Sequence, residues 1–192
     1  MCRRRSQLCV VALALLIASP ASADWYKSEK DERSGIIVGA AVGGAIVKGA
    51  GDASDVGALG GMGAFRIGTV ASPSLVWWLN IDTANYLVKE MGPGEAKIKQ
   101  NQSYTLTVAG QYYVREALWA RFGLGIGGFA RRAQEFQKEP NTSSGLGFTS
   151  GIGVDVWFRR KWVINFEAVL SGARVNGGFI THAGLMLALT RY

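Results

Sequence analysis

The stretch that decides the fold is Trp162-Val163-Ile164-Asn165-Phe166-Glu167-Ala168-Val169-Leu170. Its even-numbered residues are all apolar, whereas Asn165 and Glu167 lie on the other face of an extended chain. Alternation with a period of two predicts a β-strand with one apolar and one polar face. The stretch therefore predicts a sheet whose two faces differ in polarity.

The same division occurs at 118–127, where large apolar residues alternate with Arg121 and three glycines. A tight turn at 159–161 would pair Asp155 with Asn165, and one at 115–117 would pair Arg121 with Gln111. In both hairpins the polar residues then share a face, which supports this register.

Segments of this kind recur along the chain, and we predict eight strands. They cover roughly 35–47, 56–70, 75–87, 104–114, 118–131, 146–158, 162–173 and 179–192. The connections alternate between long polar ones, at 48–55, 88–103 and 132–145 with a shorter fourth at 175–178, and tight ones, at 71–74, 115–117 and 159–161. In antiparallel hairpins this alternation gathers the long connections at one end of the molecule and the tight turns at the other.

The composition agrees with one such domain. The 192 residues are 48% hydrophobic and 18% charged, with 26 glycines and four prolines. A chain this apolar is not disordered, and its glycines follow no collagen period.

The N-terminus has the pattern of an export signal. Three arginines precede an apolar run at 8–18 and a small-residue site at 21–23, which predicts a cleaved signal peptide at 1–23. We expect a periplasmic tail at 24–33 and a barrel domain at 34–192. Both cysteines leave with the signal, and the remaining 18 basic and 14 acidic residues give a net charge of +4.

The sequence contains few residues or motifs of the kinds that bind metals or cofactors. With no cysteine and a single histidine, the mature chain is a poor zinc-site candidate. The sequence at 123–128 matches G-x-G-x-x-G, but it lies within a strand pattern instead of opening a helix, so nucleotide binding is not favoured. We predict no cofactor and, because basic residues alternate with acidic ones in the long loops, no nucleic-acid partner.

The first segment, 35–47, has two interpretations. Gly35, Gly39 and Gly43 are spaced four apart, as in packed membrane helices. A helix of this length would span only about 20 Å, less than the hydrocarbon thickness, and an odd number of strands would remain. A strand is favoured, and a glycine-zipper helix stays open as the alternative.

Charged residues within strands should face the interior of a membrane barrel, since lipid exposure of Arg costs about 2 to 4 kcal/mol near the midplane. They are Arg66, Asp82, Arg121, Asp155 and Glu167. Two bases and three acids can largely neutralise one another there, with Asn165 and Gln111 adding hydrogen bonds. We predict a structural charge network that fills the interior, in preference to an ion path.

Aromatic residues favour an apolar face turned toward lipid. They lie near the tight turns or near the long loops, as in the two interfacial belts of membrane barrels. The predicted belt at the tight-turn end comprises Trp77, Trp78, Trp119, Trp157, Trp162 and Tyr192, and the other end carries Tyr86, Tyr104, Phe129, Phe148 and Phe179.

In these features the chain resembles the small outer-membrane barrels of Gram-negative bacteria, such as the outer-membrane protein A and X types. The resemblance rests on the signal peptide, the eight strands, the alternating connections and a last strand, 184–192, ending in Tyr192. It implies an all-β, eight-stranded, antiparallel up-and-down transmembrane barrel in the bacterial outer membrane. It also implies short turns in the periplasm and assembly machinery that recognises the last strand. The last strand departs from the family pattern, because Gly184, Ala188 and Thr190 share the face of Tyr192.

The expected role is structural or interactive, with four extracellular loops presented to lipopolysaccharide or to an extracellular ligand that the sequence does not identify. Possible lipopolysaccharide contacts are Lys89, Lys97, Lys99, Arg131, Arg132, Lys138 and Arg174. One alternative is a lipid A-modifying enzyme that uses His182, although Gly184 stands where the lipid A deacylases of this architecture carry serine. A second alternative is a narrow pore.

Overall fold

The computed structural model describes residues 34–51, 57–91, 96–131, 141–175 and 177–192. The predicted signal peptide and tail, 1–33, lie outside the described residues. Eight strands follow one another: β1 (Ile36–Ala50), β2 (Gly57–Ser72), β3 (Leu75–Met91), β4 (Ala96–Tyr113), β5 (Leu118–Arg131), β6 (Asn141–Arg159), β7 (Trp162–Val175) and β8 (Gly178–Arg191). Across the described ranges, no helix has the length and apolar character needed to cross a membrane.

The strands form one closed up-and-down barrel. Each pairs antiparallel with its neighbour in sequence, and β1 pairs with β8 to close the sheet. The predicted fold is confirmed, and the first segment is a strand. At Gly43 an added Cβ would collide with the carbonyl oxygen of Leu185 on β8, so glycine permits the close approach of the two closing strands.

The predicted hairpin registers are also confirmed. Asp155 pairs with Asn165, and Gln111 pairs with Arg121. A bulge follows Asp155, because the next pair of the ladder joins Trp157 to Ile164. As a result Val156 and Trp157 are both exposed, although they are consecutive in the chain.

The predicted strand ends at the long-loop side are wrong. β3 and β4 continue through most of the predicted loop at 88–103 and pair as far as Met91 and Ala96. The part from Leu87 and Gln100 outward pairs with no other described strand and extends roughly 15 Å along the strand direction. Likewise, β6 begins at Asn141, inside the predicted loop at 132–145. The polar side chains of these segments are typical of loops. Strands pair through backbone hydrogen bonds, which do not require apolar side chains, so the strands continue past the apolar part of the barrel.

The outer surface of the barrel is apolar. Exposed large hydrophobic side chains occur on every strand, and they include Val42, Ile46, Phe65, Leu79, Ile81, Val108, Phe122, Leu124, Ile126, Ile152, Phe166, Leu170 and Leu187. The side chains between them point inward and are buried. This polarity is the reverse of that of a water-soluble barrel.

The interior contains two apolar clusters, one toward each end of the barrel. The cluster toward the long loops includes Val47, Tyr86, Phe129, Val175 and Ile180. The cluster toward the tight turns includes Ile37, Val76, Trp78, Tyr113, Trp119, Phe158, Val163 and Tyr192. The buried charged residues Arg66, Asp82, Arg121 and Glu167 lie between these two ends.

Three of the six side chains assigned to the belt at the tight-turn end face outward, and the other three do not. Trp77, Trp157 and Trp162 face outward, with exposed fractions of 46%, 40% and 43%. By contrast, Trp78, Trp119 and Tyr192 lie inside the barrel, as do Tyr86 and Phe129 at the other end. Consecutive residues of a strand point to opposite faces, so Trp77 and Trp78 cannot both contact lipid. Distance from a turn does not distinguish the two faces of a strand, and this is why three of the six aromatic side chains differ from the expectation.

Candidate functional site

A buried ion triad lies at the centre of the barrel. Arg66 on β2 forms a bidentate pair with Glu167 on β7, in which Nη1 donates to Oε2 at 3.0 Å and Nη2 donates to Oε1. Arg121 on β5 adds a third bond, with Nη2 at 3.3 Å from Oε2. All three residues are at most 3% exposed. The triad therefore joins three non-adjacent strands across the interior.

Asp82 extends this network toward the long loops. Arg66 Nε donates to Asn80 Oδ1 at 2.8 Å, and Asn80 Nδ2 donates to Asp82 Oδ2 at 2.6 Å. The same carboxylate oxygen accepts the hydroxyls of Thr149 and Ser171, each at 2.9 Å. Because Thr149 and Ser171 belong to β6 and β7, these bonds cross the barrel from β3.

Asp155, the fifth predicted charge, accepts a hydrogen bond in another layer of the barrel. Its Oδ1 accepts the indole N–H of Trp119 at 3.0 Å, in the layer near the tight turns. In the same layer Trp78 Nε1 donates to Gln111 Oε1 at 3.0 Å. The polar atoms of the two buried tryptophans are thereby satisfied, which explains why the interior accommodates them.

His182 is buried in the interior, with 1% of its surface exposed. Its Nδ1 lies 3.2 Å from the hydroxyl of Ser103 on β4. Ser171 is its register partner on β7, but the Ser171 hydroxyl donates to Asp82. The ring therefore faces the interior and not the surface where a lipid substrate would lie.

Sequence reasoning missed several members of this network. Asn80 and Thr149 bond directly to Asp82, and Ser103 bonds to His182. Asn80 could have been found, since it lies two positions before Asp82 and so shares its face. The contacts of Thr149 and Ser103 cross the barrel, and strand periodicity carries no information about such pairs.

The predicted lipopolysaccharide contacts are spread over the long-loop end. Lys89, Lys97 and Lys99 belong to the projecting part of β3 and β4, and Arg131 ends β5. Arg174 is exposed on β7, paired with the outward-facing Phe179. Arg132 and Lys138 lie outside the described residues. Over the described part of the chain, no group of His, Cys, Asp and Glu could hold a metal ion.

A closed barrel with an apolar exterior and a buried ionic interior defines the class of small transmembrane β-barrels. Among solved structures, the Neisserial surface protein A is similar, with a TM-score of 0.61, 12% identity, and coverage of 82% of this chain and 97% of that chain. The attachment invasion locus protein Ail of Yersinia pestis, in complex with the heparin analogue sucrose octasulfate, has a TM-score of 0.54 and 14% identity, covering 81% of this chain and 98% of that chain. No protein-family model and no curated protein matches the sequence. The chain therefore has the fold of the small eight-stranded outer-membrane barrels.

Proposed function

We propose that this protein is an integral barrel of the bacterial outer membrane with a structural or surface-interaction role. The observation that carries the proposal is the inverted polarity of the barrel: large apolar side chains cover the outside, while Arg66, Asp82, Arg121 and Glu167 are buried within it. Such a surface requires hydrocarbon around it. The filled interior serves as a rigid support for the connections at the long-loop end.

The long-loop end offers cationic groups to lipopolysaccharide. Lys48 and Arg174 are exposed on the lipid-facing side of β1 and β7. Phe179, which is paired with Arg174, supplies an apolar contact at the same height. Guanidinium and ammonium groups beside an aromatic ring suit the phosphates and acyl chains of lipid A. We further propose that the projecting hairpin of β3 and β4 is the part most available to an extracellular ligand.

The enzyme and pore alternatives have less support. An acyl hydrolase of the outer membrane needs its nucleophile and base where the lipid lies, yet His182, Ser103 and Ser171 are all buried in the interior. A pore needs a continuous open path, but the triad of Arg66, Glu167 and Arg121 joins opposite walls at mid-height. The similar solved structures support the outer-membrane barrel architecture.

The test is to refold the chain without residues 1–23 in detergent and to run gels with and without boiling. The unheated protein should migrate as a compact species, give a β-rich circular dichroism spectrum and convert to the unfolded mobility on heating. Reconstitution in a planar bilayer should give no regular conductance steps. A monomer that stays soluble without detergent would overturn the proposal, and reproducible steps would favour the pore.

A further inference from the structure

The tight-turn end of the barrel carries a row of charged and aromatic side chains that the proposed function does not use. On the outer surface, Arg159 of β6 pairs directly with Trp162 of β7, and Trp162 pairs directly with Arg191 of β8. All three side chains are exposed. The guanidinium carbon of Arg191 lies 5.7 Å from the centre of the Trp162 ring. Two arginines thus flank one indole, and their strands are about 10 Å apart.

The next row toward the barrel centre is apolar. It consists of Trp157, Ile164 and Leu189, which pair with one another across β6, β7 and β8. The bulge after Asp155 turns Trp157 toward this surface. On this part of the outer surface, the row that carries the two arginines is therefore directly adjacent to an apolar row, and the boundary between charged and apolar side chains is sharp. Interfacial tryptophans are found at this level of a membrane, beside the headgroups.

The turn beyond this row adds two more cations. Arg160 and Lys161 connect β6 to β7 and are exposed, and the backbone N–H of Tyr192 donates to the carbonyl of Lys161 at 2.8 Å. Arg160 has a φ of 56°, a left-handed conformation that glycine or asparagine adopts more readily than arginine. A strained backbone at a charged turn residue is a reason to look for a function of its side chain.

The charge at this end is strongly one-sided. The exposed cations are Arg115, Arg159, Arg160, Lys161 and Arg191. Among the described residues of the turns at 73–74, 114–117 and 160–161, Glu116 is the one acidic side chain. None of the five cations forms a salt bridge within the described part of the chain. These groups are therefore available to an anion outside the protein.

We infer that Arg159, Arg160, Lys161 and Arg191, with Trp162, form a binding site for the headgroup of an anionic phospholipid. The inference rests on the proposed function, which places this end at the phospholipid leaflet of the outer membrane. A lipid headgroup fits better than a soluble anion because Arg159 and Arg191 lie on the lipid-facing side of the wall, immediately above apolar side chains that would contact acyl chains. The guanidinium groups would form charge-assisted hydrogen bonds with the phosphate.

The experiment is native mass spectrometry of the folded chain in detergent, titrated with dioleoylphosphatidylglycerol or dioleoylphosphatidylcholine. The wild type should bind phosphatidylglycerol at least tenfold more tightly. Each cation near an anionic headgroup contributes about a fivefold gain in affinity, so the double variant Arg159→Gln, Arg191→Gln should lose about 25-fold for phosphatidylglycerol and little for phosphatidylcholine. Arg115→Gln, which removes the same charge at the same end of the barrel but on the turn between β4 and β5, is the matched control and should bind like the wild type.

Arg160→Gly provides a second variant whose folding is not in question, because glycine suits the left-handed turn. It should lose up to about fivefold in affinity for phosphatidylglycerol. An equal affinity of the wild type for the two lipids would overturn the inference, as would a loss in Arg115→Gln equal to that in the double variant. Preferential binding of a soluble acidic peptidoglycan fragment at this site would also overturn it. Gel mobility of each unheated sample distinguishes these outcomes from failure of the proposed function, in which no compact barrel would form.

Discussion

Substitution of Glu167 by glutamine tests whether the ion triad holds the barrel together. Glutamine has the same shape, but its amide removes the negative charge and presents a donor where Arg66 and Arg121 present donors. The side chain of Glu167 accepts three charge-assisted hydrogen bonds, two from Arg66 and one from Arg121. The substitution thus leaves two buried guanidinium groups without their shared carboxylate.

The magnitude follows from charge balance. In the wild type, Arg66 and Arg121 are offset by Glu167 and by Asp82, which Arg66 reaches through Asn80. Loss of one partner from a buried ion pair costs about 3 to 5 kcal/mol because the remaining charge is uncompensated. We expect Glu167→Gln to lower the free energy of unfolding by about 4 kcal/mol, a large part of the roughly 5 to 15 kcal/mol that a domain has.

The assay is urea unfolding of the barrel in lipid vesicles, followed by tryptophan fluorescence and by gel mobility. Adding Arg66→Gln to Glu167→Gln restores the charge balance, so the double variant should be more stable than Glu167→Gln alone. Glu116→Gln, on the turn between β4 and β5, is the control and should shift the free energy of unfolding by no more than about 0.5 kcal/mol.

A loss below about 1 kcal/mol in Glu167→Gln would refute this account of the interior. So would a double variant that is less stable than the single variant, since uncompensated charge would then not be the cause of the loss.

Three further outcomes are expected. Gly153→Ala should lower the free energy of unfolding by about 1 to 3 kcal/mol in the same assay, because the new methyl group would collide with the indole of Trp119. Gly44→Ala is the control: no atom lies within 4 Å of its added Cβ, so the substitution should be neutral or slightly stabilising. Equal effects of the two substitutions would contradict the packing argument. Arg160→Gly should raise the free energy of unfolding by about 1 kcal/mol by relieving the left-handed backbone, and a decrease would show that the turn is not strained. The lipid A of cells that produce His182→Ala should match that of cells producing the wild type by mass spectrometry, and a changed acyl pattern would favour the enzyme alternative.

The sequence was sufficient to predict the strand number and much of the register because alternation is a local property. Glu167 and Asn165 reveal which face of β7 is polar, and their partners on adjacent strands share that face. The predicted strand ends are wrong where mostly polar side chains belong to a paired strand, as from Ala96 to Ser103 of β4. The change from apolar to polar residues marks the end of the apolar outer surface, whereas the strand continues beyond that point.

The interior network was predictable in its members but not in its pairs. Arg66 and Glu167 could be assigned to the interior by the cost of placing charge in lipid, yet 101 positions separate them in the chain. Which charges meet depends on the stagger of all eight strands around the barrel, a property that no single hairpin determines. The same limit applies to Ser103 and His182, which join β4 to β8.

The pairing of β1 with β8 has a consequence for the order of folding. The residues that it joins are about 130 to 150 positions apart, so the first strand has no partner on one side until almost the whole chain has been made. Loop closure over such a distance is slow. Until β8 pairs with it, the unpaired edge of β1 is rich in glycine and alanine, whose small side chains offer little protection against pairing with another chain. We therefore expect spontaneous refolding to be limited by closure of this seam, with aggregation rising with protein concentration when closure is delayed.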